Sequence, residues 1–372
     1  MPTIEQLREM QSMSLDEKVL LTQRRIEEFY YKTRGQCYIS FSGGKDSTVL
    51  MHIARDMFPD IPAVFVNTGL EYPEIRQFAL SFDNVKELRP MWGRRSRNHK
   101  PTDVMGFMDV VSLYGYPLIS KDVSRSIKDA RSNKNSHAYR KMTGTISLDM
   151  RNGKSRFDHS AYKPIIGLPV RISNMCCDVM KKSPAKNYGD EIKRFPMVAT
   201  MACEGINREA GWTRFGCNVF DGKNPMSRPM SFWLEQDVLR YIVENNIPIC
   251  SVYGDVCVQD YDGNLYTPSS VCSGKLVCSG CSRTGCMFCA FGAHLEKGET
   301  RFQRLKRTHP KIYEYCIGGG TWAANDKYDP SKTEPDDWNP KQIWVPSKEG
   351  LGMGKVFDMI NEIYGKDFLR YE

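Results

Sequence analysis

The sequence predicts an α/β fold. The core is a doubly wound, mostly parallel sheet, preceded by an N-terminal helix and followed by a Cys-rich, helical C-terminal extension. Three observations carry this expectation. Short apolar strands alternate with amphipathic helices over residues 37–90, the spacing of βαβ units. The apolar stretch 37–41 breaks into Ser42, Gly43, Gly44, Lys45, Asp46 and Ser47 and resumes at once as a helical pattern, the form of an anion-binding turn between strand and helix. The chain has 372 residues, 41% of them hydrophobic, enough for one large or two modest domains.

The elements follow in order. Ser14-Leu15-Asp16-Glu17 is a capping box, and Leu15, Val19, Ile26, Phe29 and Tyr30 recur at helical spacing, so 14–33 is expected to be a helix ended by Gly35. A strand at 37–41 and a helix at 46–57 come next. IPAVFVNT (61–68) reads as a second strand, Pro73 as the first turn of a helix reaching Phe82, and 85–90 as a third strand. Residues 102–114 and 121–131 look helical. The stretch 132–163 is polar and poor in large apolar residues, which predicts a loop or flexible insertion. PMVATM (196–201) returns to the sheet, and 231–246 is a helix with Trp233, Leu234, Val238, Tyr241 and Ile242 on one face. The segment 272–289 has little periodicity. A helix near 300–316, a Pro/Asp/Lys-rich loop at 324–348 and a helix near 354–364 close the chain. No internal repeat is present.

Composition narrows the setting. No apolar run approaches the roughly 18–20 residues that span a bilayer, and the first residues are polar and charged. Both predict a cytoplasmic protein with no membrane partner. Net charge is +8, which permits an anionic partner. Basic residues concentrate at 92–100, 121–141 and 301–311, each either a solvated face or a nucleotide or nucleic-acid contact. The chain has thirteen cysteines. Cys176 and Cys177 are adjacent, and Cys272, Cys278, Cys281, Cys286 and Cys289 cluster within 18 residues. In a cytosolic setting such clustering reads as metal binding or redox chemistry rather than disulfides.

The glycine turn points to phosphate. Glycines expose backbone N–H groups, the helix N-terminus adds the positive end of its dipole, and Lys45 adds a full charge. The GxGxxG and GxxxxGK[ST] loops are both absent from this turn. SGGKDS resembles the pyrophosphate loop of the adenine nucleotide α-hydrolase superfamily, the N-type ATP pyrophosphatases. VNTGLEYPEIRQF (66–78) resembles the superfamily's next nucleotide-holding motif. NMCCDVMKKSP (174–184), ATMACEGINREAGW (199–212), SFWLEQDVLRYI (231–242) and RTGCMFCAFG (283–292) narrow the resemblance to the phosphoadenosine-phosphosulfate (PAPS) reductase family, over residues 14 to about 315.

This resemblance implies several assignments. Ser42, Gly43, Gly44, Lys45, Asp46 and Ser47 would meet the phosphates, and Asn67, Thr68, Gly69 and Glu71 would border the nucleoside. Lys45, Asp46, Lys181 and Arg208 would be catalytic. Cys176, Cys177, Cys286 and Cys289 would hold one [4Fe-4S] cluster, with Lys181 offsetting its negative charge. Zinc on Cys278, Cys281, Cys286 and Cys289 is the rival, because two CxxC pairs give a tetrahedral sulfur set. Three segments follow: 1–35 as the N-terminal helical segment, 36–250 as the nucleotide-binding domain, and 251–372 as the Cys-rich metal segment with the C-terminal helices.

Departures from the family pattern select the chemistry. Reductases acting on APS or PAPS generally lack the Lys-Asp pair in the loop, whereas Lys45 and Asp46 stand here as in ATP-cleaving members. The reductases' C-terminal nucleophilic cysteine has no counterpart, since the chain ends GKDFLRYE and its last cysteine is Cys316. The family's Glu-Ser pair is Glu204-Gly205 here. These differences favour an ATP pyrophosphatase that adenylates an acceptor for iron–sulfur dependent thiolation, with nucleic acid as a candidate acceptor. The substrate would be ATP with Mg²⁺. The alternatives are an APS/PAPS reductase releasing sulfite and a non-catalytic nucleotide-binding accessory subunit. The expected partners are an adenine nucleotide and a sulfur donor such as a cysteine desulfurase or thioredoxin. An oligomer is compatible with the sequence.

Overall fold

The computed structural model describes the chain apart from residues 1, 94–95, 97, 148–152, 154, 156, 221–224, 269–273 and 333–337. Cys272 and part of the basic run 92–100 therefore lie outside the described residues. The chain forms two compact units. The first comprises 1–67, 71–89 and 183–285, the second 68–70, 90–182 and 286–372.

The first unit is built on a six-stranded sheet. Its strands are β1 (Cys37–Phe41), β2 (Ala63–Val66), β3 (Val85–Leu88), β4 (Phe195–Val198), β5 (Asn218–Val219) and β6 (Met226–Ser227), ordered β3-β2-β1-β4-β6-β5. All neighbours are parallel except β5 and β6. The order runs one way from β1 to β3 and the other way from β4, so the switch point lies between β1 and β4. In open α/β sheets ligands bind at the carboxyl ends of the strands at such a point. The mostly parallel, doubly wound sheet is the one the alternating pattern predicts.

The helices of this unit are α1 (Ile4–Ser12), α2 (Leu15–Lys32), α3 (Lys45–Met57), α4 (Pro73–Leu80), α5 (Ser183–Ile192), α6 (Ile206–Phe215) and α7 (Glu235–Glu244). Helix α2 starts at the Ser14 capping box. Its buried face differs from the apolar one expected: it is Lys18, Thr22, Ile26 and Phe29. The two polar residues are satisfied. Lys18 Nζ pairs with Asp237 at 2.7 Å, and Thr22 Oγ1 accepts from the indole N–H of the buried Trp233 at 2.8 Å. Buried polar groups with good partners cost little, and leaving one unpaired costs far more. The N-terminal segment 1–35 holds α1 as well as the helix read at 14–33; Thr3 and Gln6 cap α1 reciprocally.

Several expected boundaries shift. The helix read at 102–114 starts at Phe107, because Gly106 lies outside it and its N–H donates to the Asp109 carboxylate at 2.8 Å. Within 132–163 a helix, His137–Thr143, stands where a loop is expected. Ser136 caps it and Gly144, at φ 79, ends it. The Cys-rich segment contains a strand, Lys275–Cys278, paired antiparallel with Val256–Gln259. The helix near 300–316 is two, Arg301–Thr308 and Pro310–Ile317, because Pro310 has no N–H to continue the first. The 324–348 region carries one strand of a hairpin: Gln342–Val345 pairs with Thr321–Ala324.

In the second unit, Arg131 lies in the last turn of a helix, Lys121–Ser132, and gathers the end of the 3₁₀ helix Ser160–Gly167 and the residues after it. Its guanidinium donates to the carbonyls of Ile165, Ile166, Leu168 and Val170 and lies 4.3 Å from the centre of the Trp338 ring. Burial pushes its pKa down to about 9, so it stays charged at neutral pH. Arg131→Ala takes the guanidinium from all four carbonyls, of which Ile165 and Leu168 keep other donors. It is expected to cost on the order of 3–5 kcal/mol, read as a lower urea midpoint. Arg131→Lys should recover little of this, because one ammonium cannot replace the planar fork.

Candidate functional site

Two groups of residues carry chemistry, one in each unit. The first is the turn between β1 and α3. Gly43 has φ 70, and a Cβ there would lie 3.0 Å from both Ile75 Cγ2 and the Ile75 carbonyl. Only glycine satisfies both conditions. Internal hydrogen bonds then fix the turn. The Ser42 N–H donates to Ser47 Oγ at 3.2 Å, and the Ser47 and Thr48 hydroxyls donate to the Gly44 carbonyl at 2.9 and 3.0 Å. The first N–H groups of α3 have no acceptor within the helix, and Gly44 at the N-cap offers no side chain to cap them.

Lys45 and Asp46 open α3. Lys45 is 4% exposed. Its Nζ donates to the Ser282 carbonyl at 2.8 Å and pairs with Glu235 at 3.2 Å. Its backbone N–H donates to Tyr253 Oη at 3.3 Å, and that hydroxyl shares a 2.6 Å hydrogen bond with Thr284. Burial pushes the Asp46 carboxyl above the usual carboxylate range; Lys45 opposes this, Glu235 adds to it, and Arg283 and Arg208 oppose it. Asp46 Oδ1 is buried with no hydrogen-bond partner among the described residues. Arg208, one turn into α6, is ion-paired with Glu204, whose carboxylate also accepts from the Met201 N–H at 3.0 Å. The turn is thus an anion-receptive N-terminus beside a buried cation and an under-satisfied carboxylate.

The sequence missed Glu235, Tyr253, Ser282 and Thr284 as partners of the loop. Glu235 and Thr284 lie inside quoted motifs, which was the available signal. Tyr253 and Ser282 are brought in by the chain's return and had none. Cys278 also faces this site: the Lys45, Glu235 and Asp46 charges all act on its thiol, which burial pushes up. Of the expected nucleoside-bordering residues, Asn67 and Glu71 belong to this unit, whereas Thr68 and Gly69 fall in the 68–70 stretch of the other. Asn67 follows β2, with its N–H on the Leu88 carbonyl at 2.8 Å and its side-chain amide on Glu87 at 2.6 Å.

The second group is in the second unit. Cys176, Cys177, Cys286 and Cys289 line one enclosed pocket with Leu70, Phe107, Pro117, Met180 and Lys181. Two distant stretches of chain meet there. Cys176 and Cys177 sit on the short helix Met175–Cys177, which runs into a π-helical turn, Asp178–Lys182, carrying Lys181; π-turns are rare and concentrate at functional positions. The Cys289 N–H donates to the Cys286 carbonyl at 3.0 Å, closing the CxxC turn, and Arg301 holds the Cys289 carbonyl at 2.8 Å. A hydrogen bond with Cys176 pulls the Cys177 thiol well below the usual range, and Lys121 and Lys181 act the same way against burial. The Cys176 thiol moves up in return. Among the described residues no group of three or more His, Cys, Asp or Glu is arranged to hold a single metal ion. Cys281 is buried, and Cys278 and Cys281 belong to the first unit.

No helix among the described residues is long and apolar enough to cross a membrane. The family model for the phosphoadenosine phosphosulfate reductase domain matches residues 36–103 and 131–291, more than half of the chain. No curated protein matches the chain. Among solved structures, the chain is similar to the phosphoadenylyl-sulfate (PAPS) reductase from Candida auris in its phosphate complex. The two are 11% identical with a TM-score of 0.33, and the match covers 68% of this chain and 91% of that one.

Proposed function

This chain belongs to the phosphoadenosine phosphosulfate reductase domain family, and on that premise we propose that it is an adenylating enzyme of sulfur transfer. It cleaves ATP between the α and β phosphates and uses the adenylate to replace an acceptor oxygen by sulfur, with nucleic acid as the candidate acceptor. The observation that carries this reading is the Lys45–Asp46 pair. A buried ammonium and a carboxylate with an unpartnered oxygen stand at the N-terminus that would receive the phosphates.

The acceptor oxygen attacks the α-phosphorus, the bond to the bridging oxygen breaks, and pyrophosphate leaves. Charge grows on that leaving group. Lys45 and the first N–H groups of α3 stand at the turn that would receive it; Lys45 Nζ would exchange its Ser282 and Glu235 contacts for the phosphate, and charge placed there in advance is among the strongest contributions to catalysis. Asp46 Oδ1 is an available oxygen ligand for the Mg²⁺ that travels with the nucleotide. A sulfur nucleophile then attacks the activated carbon, and AMP departs with the former acceptor oxygen.

Cys176, Cys177, Cys286 and Cys289 would hold a [4Fe-4S] cluster. Two pairs of thiols from distant stretches of chain line one pocket, and four sulfurs are the set that a cubane cluster takes, one for each iron. When bound, the cluster supplies one-electron redox capacity beside the vicinal thiols. Lys181, which lines the same pocket, would offset its negative charge.

Asp46 gives a stability test. Its raised pKa means that the nucleotide-free fold loses stability as pH rises from the unfolded carboxylate pKa through the folded one. Asp46→Asn should flatten that loss and raise the melting temperature of the free protein by a few degrees near neutral pH. It should also abolish the stabilisation by MgATP. Thermal scans from pH 4 to 8, with and without MgATP, read both effects.

The reading itself is tested by exchange of labelled pyrophosphate into ATP, with Mg²⁺ and a pool of cellular RNA and DNA. Mg²⁺-dependent exchange is expected. Absence of exchange from protein that releases sulfite from APS or PAPS would replace this reading by the reductase one.

A further inference from the structure

The phosphate turn of the first unit already holds oxygens of the protein itself. The Gly44 N–H donates to Ser42 Oγ at 3.3 Å, the Lys45 N–H to Tyr253 Oη at 3.3 Å, and the Lys45 ammonium to the Ser282 carbonyl at 2.8 Å. The Tyr253 hydroxyl shares a 2.6 Å hydrogen bond with Thr284 Oγ1. These hydroxyls gather over Gly44. A Cβ there would stand 3.1 Å from Tyr253 Oη, 3.2 Å from Ser42 Oγ and 3.7 Å from Thr284 Oγ1. Several oxygens converging on the start of a helix are what a bound phosphate presents.

Tyr253 and Thr284 arrive together. The Gly280 and Cys281 N–H groups donate to the Tyr253 and Val252 carbonyls, both at 2.8 Å. Glycines let the two stretches touch: a Cβ at Gly254 would lie 2.9 Å from the Gly280 nitrogen, and one at Gly280 would lie 2.6 Å from the Val252 carbonyl oxygen. Ser282 and Thr284 follow directly, so 252–254 and 279–284 form one strap across the turn. Tyr253 is buried beneath it, whereas Ser282 and Arg283 face water.

We infer that Tyr253 sets the affinity of the ATP site: its hydroxyl keeps the place of a phosphate oxygen on the Lys45 N–H, and the incoming polyphosphate displaces it. The inference rests on the proposed phosphate role of the turn. In the free protein the hydroxyl and the Ser282 carbonyl spare a helix N-terminus and a buried ammonium the cost of lacking partners. A polyphosphate brings full negative charge to the same donors, and hydrogen bonds to charged acceptors are the stronger ones. The ligand therefore wins the exchange, but its affinity is lowered by the contact it breaks.

The test is calorimetric titration of the full chain with MgATP and with pyrophosphate, for wild type, Tyr253→Phe, Thr284→Val and the control Tyr266→Phe, whose ring is exposed. Tyr253→Phe keeps the ring 5.6 Å from the Lys45 ammonium and removes only the competing oxygen. It is expected to bind both ligands roughly 3- to 10-fold tighter, the worth of one hydrogen bond no longer broken. Thr284→Val removes the partner that fixes the hydroxyl and should tighten binding by less. Tyr266→Phe should match wild type. A tyrosine with a merely structural role gives no gain in affinity when its hydroxyl is removed. Unchanged or weaker binding by folded Tyr253→Phe overturns the inference and leaves the ATP reading standing; where Tyr253→Phe does not fold, Thr284→Val decides in the same way. If neither ligand binds wild type or any variant, the phosphate role of the turn falls, and this inference with it.

Discussion

Lys45→Ala is expected to lower turnover with ATP by about 10²–10³, the usual consequence of removing one preorganised charge contact. The size follows from where Lys45 sits. Its side chain is only 5% exposed, so water cannot replace the lost ammonium beside the departing pyrophosphate. Its present partners, the neutral Ser282 carbonyl and the single carboxylate of Glu235, carry less negative charge than a polyphosphate and would yield to it. Lys45→Met keeps the volume and removes only the charge, which separates packing from electrostatics. If both variants lose the same turnover while melting near the wild-type temperature, charge is the cause. If the substrate were APS or PAPS, the reacting sulfur–oxygen bond would lie away from this loop. The same variants would then mainly raise KM, as loss of uniform binding does.

Cys177→Ala is expected to abolish iron binding outright. The thiol at this position carries the strongest pull toward its thiolate form, from Cys176, Lys121 and Lys181 together, and thiolate is the state that binds iron. Anaerobic wild-type protein should be brown, with broad absorption near roughly 400 nm from sulfur-to-iron charge transfer. Cys177→Ala should be colourless, with iron below the detection of a colorimetric assay. Cys257→Ala, outside the pocket, should keep both colour and iron. Brown Cys177→Ala protein, or colour that depends instead on Cys278 and Cys281, would place the iron on other thiols, and colourless wild-type protein that carries zinc would favour the rival set of Cys278, Cys281, Cys286 and Cys289.

Much of this molecule was legible in its sequence because its strongest signals are local. Ser42 through Ser47 form a strand-to-helix turn whose shape follows from Gly43 and from hydroxyls a few residues away. Neighbouring residues determine such a turn. The four cysteines of the pocket were legible through the resemblance alone, since nothing in the spacing of 176–177 and 286–289 says that they meet. What joins them is the 116–119 stretch, which bridges Ile172 on one side and pairs with Ala290–Phe291 on the other and is too short to register as a strand. The burial of Lys18 and Thr22 in α2 was hidden for the same reason: their partners, Asp237 and Trp233, lie more than half the chain away. The helix His137–Thr143 was hidden by composition, since a polar helix built on Ser136 and Gly144 has few apolar residues to show a period.

The central claim is that Lys45 and Asp46 belong to an ATP site. Its most direct test is product analysis on anaerobically purified wild-type protein given ATP, APS or PAPS in turn, each with Mg²⁺, a thiol reductant, inorganic sulfide as sulfur donor and cellular nucleic acid. The account predicts pyrophosphate and AMP from ATP, sulfur recovered in the nucleic acid, and no sulfite from APS or PAPS. Sulfite from APS or PAPS with no ATP consumed, persisting when Cys278, Cys281 and Cys316 are replaced, would contradict it.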